Sequence, residues 1–277
     1  MDGPADGDAL WTARYGAGDA PGAVPAGVAP FLDRRVSRRY RAEPVSEALL
    51  DMLLAAAQSA PTKSDLQQYS IVVLRDRAKI ARIAGWIGSM DWIATAPVFL
   101  LFCAELRRGQ RLCARHGMAH ANNNLDTFLN GAVDATLAMG ACIAAADAAG
   151  LGTCPISYVR NHLEKIAPLV GLPNGVWPVA GLTLGWPEFR RPVSMRLPQS
   201  VVVHRERYDD SALEAEVAAY DSRRRAREPL APGSLKNNDV YGPKEGVGWS
   251  ENCARQLSVP ERYGFSTWLR SRGFELA

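Results

Sequence analysis

A long stretch that is apolar almost all round, from Asn124 to Ala149, constrains the fold of this chain more than any other feature. We expect it to be helical, and a helix without a polar face must be buried on every side. Gly150 follows it, where a left-handed residue commonly ends a helix. The small residues that would let a second backbone approach closely are Gly131, Ala135, Gly140 and Ala144. The stretch therefore predicts a central helix shared between a core and a symmetric dimer interface, with an ordinary core helix in a monomer as the alternative.

The rest of the core pattern alternates helices with short apolar strands. Residues 46–59 have apolar positions at helical spacing behind Ser46, which is placed as the N-cap. Strands are predicted at positions 70–74, 97–103, 152–157 and 178–184, separated by helical stretches. The pattern is typical of an α+β fold with a central sheet.

Changes in composition divide the chain into three parts. Residues 1–29 mix Gly, Pro, Ala and Asp without apolar periodicity, which predicts an extended arm that is flexible or packed over a partner, and no chemistry is assigned to it. Residues 30–200 form the predicted core. Residues 201–277 are predicted to contain an amphipathic helix at 211–227, a Pro- and Gly-rich stretch and a terminal helical region, an arm long enough to wrap a neighbouring subunit.

Composition argues against several classes of protein. The net charge of +3 is mild and the basic residues are dispersed apart from two short clusters, so nucleic acid is not an expected partner. The longest uncharged runs, 92–104 and 135–146, fall short of the ~20 apolar residues of a membrane-spanning helix. The five cysteines include no Cys-x-x-Cys pair, and the N-terminus lacks the basic and apolar regions of a signal peptide. A soluble, cytoplasmic protein is expected.

Several common enzyme motifs are absent from the sequence. No G-x-G-x-x-G follows a strand, and there is no P-loop and no G-x-S-x-G, which argues against a Rossmann dehydrogenase, a P-loop ATPase and an α/β-hydrolase. His116 and His120 are spaced for one helix face, but no Glu follows His116 and Gly117 weakens the helix, so we expect no metal site. Asp134 and Asp147 are too far apart to form a catalytic carboxylate pair, and each is interpreted as a polar contact at an interface.

An arginine cluster just ahead of the first long helix is suited to phosphate. The segment 34–40 reads Arg-Arg-Val-Ser-Arg-Arg-Tyr, and guanidinium forks bind phosphate oxygens bidentately. A solvated charge run is the alternative interpretation. Three further segments accompany it, namely the polar loop 60–68, the segment 150–158 and Arg196-Leu197-Pro198. In this combination and order the chain resembles the nitroreductase family of flavoproteins, in particular its large oxygen-insensitive NAD(P)H nitroreductase and flavin reductase branch, from about residue 30 onward.

The resemblance implies a nitroreductase-like fold, in which a mixed, mainly antiparallel sheet is flanked by helices and a C-terminal arm wraps the partner subunit of a homodimer. It also implies FMN bound at the dimer interface, with NADPH or NADH as co-substrate. Matched onto the family's motifs, the cofactor-binding residues are Arg34, Arg35, Val36, Arg38, Thr62, Ser64, Gln67, Pro155, Ile156, Ser157 and Arg196. The residues expected to contact the aromatic substrate or NAD(P)H are Met90, Tyr158, Arg160, Lys236 and Lys244.

Some positions depart from the family pattern. Val36 stands where a serine is usual, and the neighbouring Ser37 either replaces that hydroxyl or does not. Ser194 stands where close relatives tend to carry a lysine, which implies fewer cationic contacts to the phosphate. Lysines in the 229–248 arm replace the arginines of NADPH-preferring relatives, so the sequence favours NADPH over NADH without deciding between them.

The function implied by the resemblance is electron transfer from NAD(P)H through FMN, by a ping-pong mechanism, to nitroaromatic, quinone or related electron-poor aromatic acceptors. No side chain needs to act as a nucleophile, because the cofactor carries the chemistry. One alternative is a flavin reductase that releases reduced FMN. Another is a reductase specialised for one aromatic compound, suggested by the departures at Met90, Ser157 and Tyr158. A non-catalytic FMN-binding protein is the alternative from a different class.

Overall fold

The computed structural model describes residues 7–277, which divide into two units. One unit contains the chain up to Arg34 together with Pro192–Glu261, and the other contains Arg35–Arg191 together with Arg262–Ala277. We call them the arm unit and the core unit. The first six residues, which belong to the predicted N-terminal arm, lie outside the described part of the chain.

The helices of the described residues, in chain order, are α1 (Gly7–Tyr15), α2 (Ala29–Leu32), α3 (Glu47–Gln58), α4 (Arg77–Ile87), α5 (Arg107–Arg115), α6 (Leu125–Ala148), α7 (Leu163–Leu169), α8 (Gln199–Val202), α9 (Leu213–Arg227), α10 (Asn238–Tyr241), α11 (Trp249–Leu257) and α12 (Phe265–Ser271). The strands are β1 (Tyr69–Leu74), β2 (Val98–Glu105), β3 (Gly152–Ile156) and β4 (Val176–Gly185).

The core unit is built around the four strands in the order β1-β2-β4-β3, and every neighbouring pair is antiparallel. The whole of β4 and nearly all of β2 are buried, which explains why both appear in the sequence as continuous apolar runs. A single parallel bridge joins Val36 to Thr153 of β3. The predicted α+β fold with a mainly antiparallel central sheet is confirmed.

The helix α6 packs against α3 and the sheet and is the central helix predicted from the sequence. The side chain of Asn124 caps its start by accepting the Thr127 N–H at 3.0 Å, and Gly150 follows its end with φ at +78°. The prediction of burial on every side is not met within the single chain. Four exposed apolar residues lie four positions apart along one face, namely Leu125, Leu129, Val133 and Leu137.

Among residues 7–277, α6 alone is long and apolar enough to cross a membrane by the criteria of length and composition. The uncharged runs in the sequence are shorter than this helix, because its N-terminal half also contains Asp126 and Asp134. Buried core helices of soluble proteins commonly meet the same criteria. Asp134 is only 1 % exposed and α6 contacts all four strands of the sheet, which is the behaviour of a core helix.

The end of the chain, residues 262–277, belongs to the core unit. Trp268 of α12 and Phe274 beyond it are buried. Phe128 of α6 stacks on Trp177 of β4 with ring centroids 4.7 Å apart, and Phe274 meets Phe128 edge to face at 6.4 Å. The last part of the predicted C-terminal arm therefore packs on the core of its own chain, while wrapping of a partner by the rest of the arm stays a prediction.

The arm unit holds the N-terminal residues in a defined structure. Arg227, at the end of α9, donates to the main-chain carbonyls of Thr12 at 3.3 Å and Ala13 at 2.9 Å. These contacts join α1 to α9. The composition of residues 1–29 predicts an extended arm, and that prediction is wrong for residues 7–15, which are helical. Contacts with distant residues hold this helix, so local periodicity does not indicate it.

Candidate functional site

Two of the predicted phosphate-binding arginines, Arg34 and Arg196, lie in the arm unit, and the main chain of each is hydrogen-bonded to a third arginine, Arg14. Arg14 of α1 is 6 % exposed, and its guanidinium donates to the carbonyls of Leu32 at 2.6 Å, Arg34 at 2.8 Å and Ser194 at 2.8 Å. The N–H of Arg196 in turn donates to the Arg14 carbonyl at 2.8 Å. Burial, followed by the neighbouring charges of Arg196 and Arg34, lowers the pKa of Arg14.

This arginine cluster changes the expectation drawn from Ser194. The resemblance implied fewer cationic contacts there, because close relatives tend to carry a lysine. In the structure the Ser194 carbonyl accepts a hydrogen bond from Arg14, a residue from the segment to which no chemistry was assigned. A cation from another part of the chain therefore lies beside the position that lacks the lysine.

The other residues of the first basic motif, Arg35 to Arg38, lie in the core unit beside β3. Val36 forms the parallel bridge with Thr153, and the Ser37 N–H donates to the Thr153 carbonyl at 2.9 Å. Ser37 is buried, and a Cβ on Gly152 would lie 2.5 Å from the Ser37 Cβ, so the two residues are in close contact. The Ser37 side chain therefore faces β3, and Val36 also lies beside this strand. Arg38, in contrast, is exposed.

The polar loop that contains Thr62, Ser64 and Gln67 is conformationally strained. Ser64, Asp65 and Gln67 all have left-handed backbones, with φ of 48°, 56° and 50°. Such conformations are costly for residues other than glycine and persist only where the surroundings impose them, often at functional sites. The loop between α3 and β1 is thus held in one specific shape, with Ser64 and Gln67 exposed.

Asp134 of α6 is the group that holds this loop. Its Oδ1 accepts the N–H of Lys63 at 3.1 Å and its Oδ2 accepts the N–H of Gln68 at 2.9 Å. On the other side, Arg108 donates to the Gln67 carbonyl at 2.6 Å and to the Tyr69 carbonyl at 3.1 Å. The interpretation of Asp134 as an interface contact is wrong, because both of its carboxylate oxygens are used within its own chain.

The predicted ring-binding segment lies at the end of β3 and in the short turn that follows. Pro155 and Ser157 are exposed, Tyr158 is half-buried and Ile156 is buried with 2 % of its surface exposed, so within this chain Pro155 and Ser157 offer the accessible surface of the segment. Arg160, in the same turn, donates a hydrogen bond to the Val179 carbonyl of β4.

Three other predicted substrate or nucleotide contacts lie elsewhere in the chain. Met90, half-buried, packs against the core at the start of the turn before β2. In the arm unit, the Lys244 ammonium is 3.0 Å from both carboxylate oxygens of Glu251, and the exposed Lys236 donates its main-chain N–H to Asn252 at 2.8 Å. Lys244 would have to leave an exposed ion pair to bind a nucleotide phosphate, which costs little.

Sequence reasoning missed Asp134 and Arg14 as site-forming residues. For Asp134 a signal exists, because an acidic residue in the middle of an apolar helix must find partners when it is buried. For Arg14 no local signal exists, since its partners are main-chain carbonyls up to 180 positions away.

Comparison with known proteins agrees with the resemblance. The model of the nitroreductase family matches residues 32–186, and that of the nitroreductase family C-terminal domain matches residues 194–277. A Bacillus subtilis strain 168 protein named FMN reductase [NAD(P)H] is 39 % identical over 89 % of this chain and 96 % of its own length. An oxygen-insensitive NADPH nitroreductase of Salmonella typhimurium is 31 % identical over 87 % of this chain and 94 % of its own length.

A solved structure gives the same result for the fold. The NADPH:FMN oxidoreductase of Vibrio harveyi, complexed with NAD⁺, superposes with a TM-score of 0.77 and 27 % identity, covering 89 % of this chain and 97 % of that one. Both family models and these relatives together span the core and the arm, and the chain therefore belongs to the nitroreductase family.

Proposed function

We propose that this chain, an FMN-dependent NAD(P)H oxidoreductase, passes its electrons to nitroaromatic, quinone or related electron-poor aromatic acceptors in a ping-pong reaction. The relatives named as an NADPH nitroreductase and as FMN reductases support this activity. Bound FMN would supply the redox chemistry, namely the capacity to take up a hydride from NAD(P)H and to pass two electrons to the acceptor. The protein has to bind and orient both substrates, and no nucleophilic side chain is required.

The observation that carries the proposal is the arginine cluster of the arm unit. Arg14 is hydrogen-bonded to the main chain of both Arg34 and Arg196, each at 2.8 Å, and burial followed by repulsion from their two charges lowers the pKa of Arg14. An anion bound among them would relieve this repulsion, and a flavin phosphate has the charge and the oxygens that guanidinium groups bind. The resemblance assigns the same role to Arg35 and Arg38.

The strained loop and the turn after β3 are the proposed contacts of the rest of the cofactor. Thr62, Ser64 and Gln67 offer hydroxyl, amide and main-chain groups to the ribityl chain and the ring edge. Because Asp134 and Arg108 hold the loop, these groups are already in place before the ligand arrives, which lowers the entropic cost of binding.

We propose that Pro155 and Ser157 contact the pyrimidine side of the ring with their exposed surfaces, and that the buried Ile156 between them supports this cofactor-binding turn. Met90 and Tyr158 are then the side chains that select the aromatic substrate. Arg160, Lys236 and Lys244 remain candidates for the phosphates of NAD(P)H. Of these, Arg160 also bonds to the Val179 carbonyl, so replacing it would affect the core as well.

We further propose a cytoplasmic homodimer. The exposed apolar face of α6, defined by Leu125, Leu129, Val133 and Leu137, supports a dimer because exposed contiguous apolar surface of this kind marks protein interfaces. Sedimentation velocity tests this point directly. A second copy would cover that face, and a Leu129→Glu change would then shift the protein towards a monomer.

The first test is an anaerobic absorbance spectrum of the purified protein before and after NADPH, with NADH added in a separate cuvette. Loss of the flavin band with either nucleotide supports the proposal and ranks the two donors. A yellow protein that neither nucleotide bleaches would indicate a non-catalytic flavin-binding protein. A colourless protein that takes up no FMN and oxidises neither nucleotide would refute the proposal.

A flavin reductase is the second candidate, because the FMN reductase is more similar to this chain, at 39 %, than the nitroreductase, at 31 %. The two functions differ in whether FMN stays bound. Gel filtration after reduction, together with the dependence of NADPH oxidation on added FMN, separates them. Reduced FMN in the protein fraction and a rate that saturates with a nitroaromatic favour the first candidate, whereas reduced FMN in the small-molecule fraction favours the second.

A further inference from the structure

Arg14 belongs to a part of the chain that the family models do not cover. The first match begins at residue 32, whereas Arg14 lies in the last turn of α1. Arginine is rarely buried without specific partners, yet Arg14 is 6 % exposed. A buried cation contributed by an N-terminal segment outside the family match requires an explanation.

The partners of Arg14 connect the two segments that carry the predicted phosphate-binding arginines. Its Nη2 donates to the Arg34 carbonyl and its Nη1 to the Ser194 carbonyl, both at 2.8 Å. The Arg14 carbonyl accepts the N–H of Arg196. One residue is therefore hydrogen-bonded to the main chain of both Arg34 and Arg196, although these are far apart in sequence. A planar guanidinium suits this role, because its N–H groups lie in a fixed fork.

The positive charge of Arg14 lies near those of Arg34 and Arg196. Because Arg14 is hydrogen-bonded to the main chain of both Arg34 and Arg196, the three arginines lie together in the arm unit. Burial, followed by the charges of Arg196 and Arg34, lowers the pKa of Arg14, while the nearby Asp33 raises it. Of the three arginines, only Arg14 is buried while Arg196 is exposed, and bringing like charges close to a buried guanidinium costs free energy that a bound anion would offset. A purely structural clamp could have used a neutral donor and avoided this repulsion.

We propose that Arg14 is a positioning residue for the FMN phosphate, which fixes Arg34 and Arg196 through their main chains and adds a third positive charge beside them. This inference rests on the proposed function and deepens it, since it gives residues 7–15 a role in cofactor affinity. It predicts that Arg14 matters for a flavin that carries a phosphate and not for the same flavin without one.

The test compares FMN with riboflavin, which lacks the phosphate. Dissociation constants of both flavins are measured by fluorescence quenching on the flavin-free full-length protein, for wild type, Arg14→Gln and Arg14→Lys. Arg14→Gln should weaken FMN binding by about ten- to one-hundredfold, the range for losing hydrogen bonds to a charged group, and leave riboflavin binding unchanged. Arg14→Lys, which keeps the charge but loses the fork, should fall between.

Arg227→Gln is the matched control, because Arg227 also holds α1, through the carbonyls of Thr12 and Ala13. It should leave the ratio of the two dissociation constants as in wild type. The salt dependence of FMN binding is a second readout, which should become shallower in Arg14→Gln since one fewer positive charge attracts the phosphate.

Equal weakening of FMN and riboflavin binding, or no change in either together with an unchanged salt dependence, would overturn the inference. If Arg14→Gln does not fold, Arg14→Lys decides alone by the ratio of the FMN and riboflavin dissociation constants, because lysine keeps the charge and should leave the salt dependence as in wild type. A wild-type protein that binds neither flavin would refute the proposed function itself, and this result is distinguishable from wild-type FMN binding that Arg14 does not influence.

Discussion

Replacing Asp134 by asparagine should release the strained loop of residues 62–68 locally while leaving the rest of the core unit intact. Asp134 is 1 % exposed and accepts two main-chain N–H groups, one on each carboxylate oxygen. Asparagine offers one oxygen and one NH₂ group. One of the two N–H groups, that of Lys63 or that of Gln68, would then face another donor in a buried position.

The magnitude follows from the hydrogen bonds and from the backbone conformations. A hydrogen bond to a charged group contributes about 1.5–3 kcal/mol, so the pair contributes about 3–6 kcal/mol. Ser64, Asp65 and Gln67 have positive φ, and each costs on the order of 1 kcal/mol or more. The two terms are of similar size, and losing one hydrogen bond lowers the free energy of local opening by about 1.5–3 kcal/mol.

Hydrogen exchange of the two amides measures this loss directly. In Asp134→Asn the protection of the Lys63 and Gln68 amides should fall by about 10- to 150-fold, the factor that corresponds to about 1.5–3 kcal/mol. Asp134→Ala should lower it further, since both hydrogen bonds are lost. If the loop binds FMN as proposed, Asp134→Asn should also weaken FMN binding.

The control is Asp126→Asn on the same helix. Asp126 is exposed, and its carboxylate pairs with the Lys63 ammonium at 3.0 Å without contacting the loop backbone. Removing this exposed pair should leave the exchange of both amides unchanged. Wild-type protection in Asp134→Asn, or an equal loss in both variants, would refute the reasoning.

Three further predictions concern the core unit. The Tyr40 hydroxyl donates to the Ser37 carbonyl at 2.7 Å and burial raises the pKa of this hydroxyl, so its contribution to the free energy of unfolding is complete below about pH 10 and is lost at higher pH. In urea titrations, Tyr40→Phe should lower the free energy of unfolding at pH 8 and make its decline above pH 10 less steep. Gly152→Ala would place a Cβ 2.5 Å from the Ser37 Cβ and should lower the midpoint of unfolding. An unchanged midpoint would show that Ser37 can move away at little cost in free energy. Burial raises the pKa of Cys142 to about 11, so Cys142 should resist a thiol reagent at pH 8 until denaturant is added. The more accessible Cys113 should react in the folded protein, and mass spectrometry of the labelled protein distinguishes the two cysteines.

The elements with strong local signals were predictable from the sequence. Ser46 caps α3 by accepting the Leu49 N–H at 3.2 Å, and α6 begins and ends within a residue or two of the predicted bounds. The strands β2 and β4 were found because their nearly complete burial leaves them almost continuously apolar. The order and types of the four motifs also sufficed to identify the family.

The sequence by itself thus determined the fold class, the family and the residue types available to bind a phosphate, because periodicity, capping and motif spacing are local properties. Only the tertiary structure decided that Asp134 holds the loop of Lys63 and Gln68, and that Arg14 joins Arg34 to Ser194. Main-chain N–H and carbonyl groups carry no sequence signature, since every residue except proline has both. A buried charge that binds them can therefore be recognised only after the chain has folded and brought distant backbone segments within hydrogen-bonding distance.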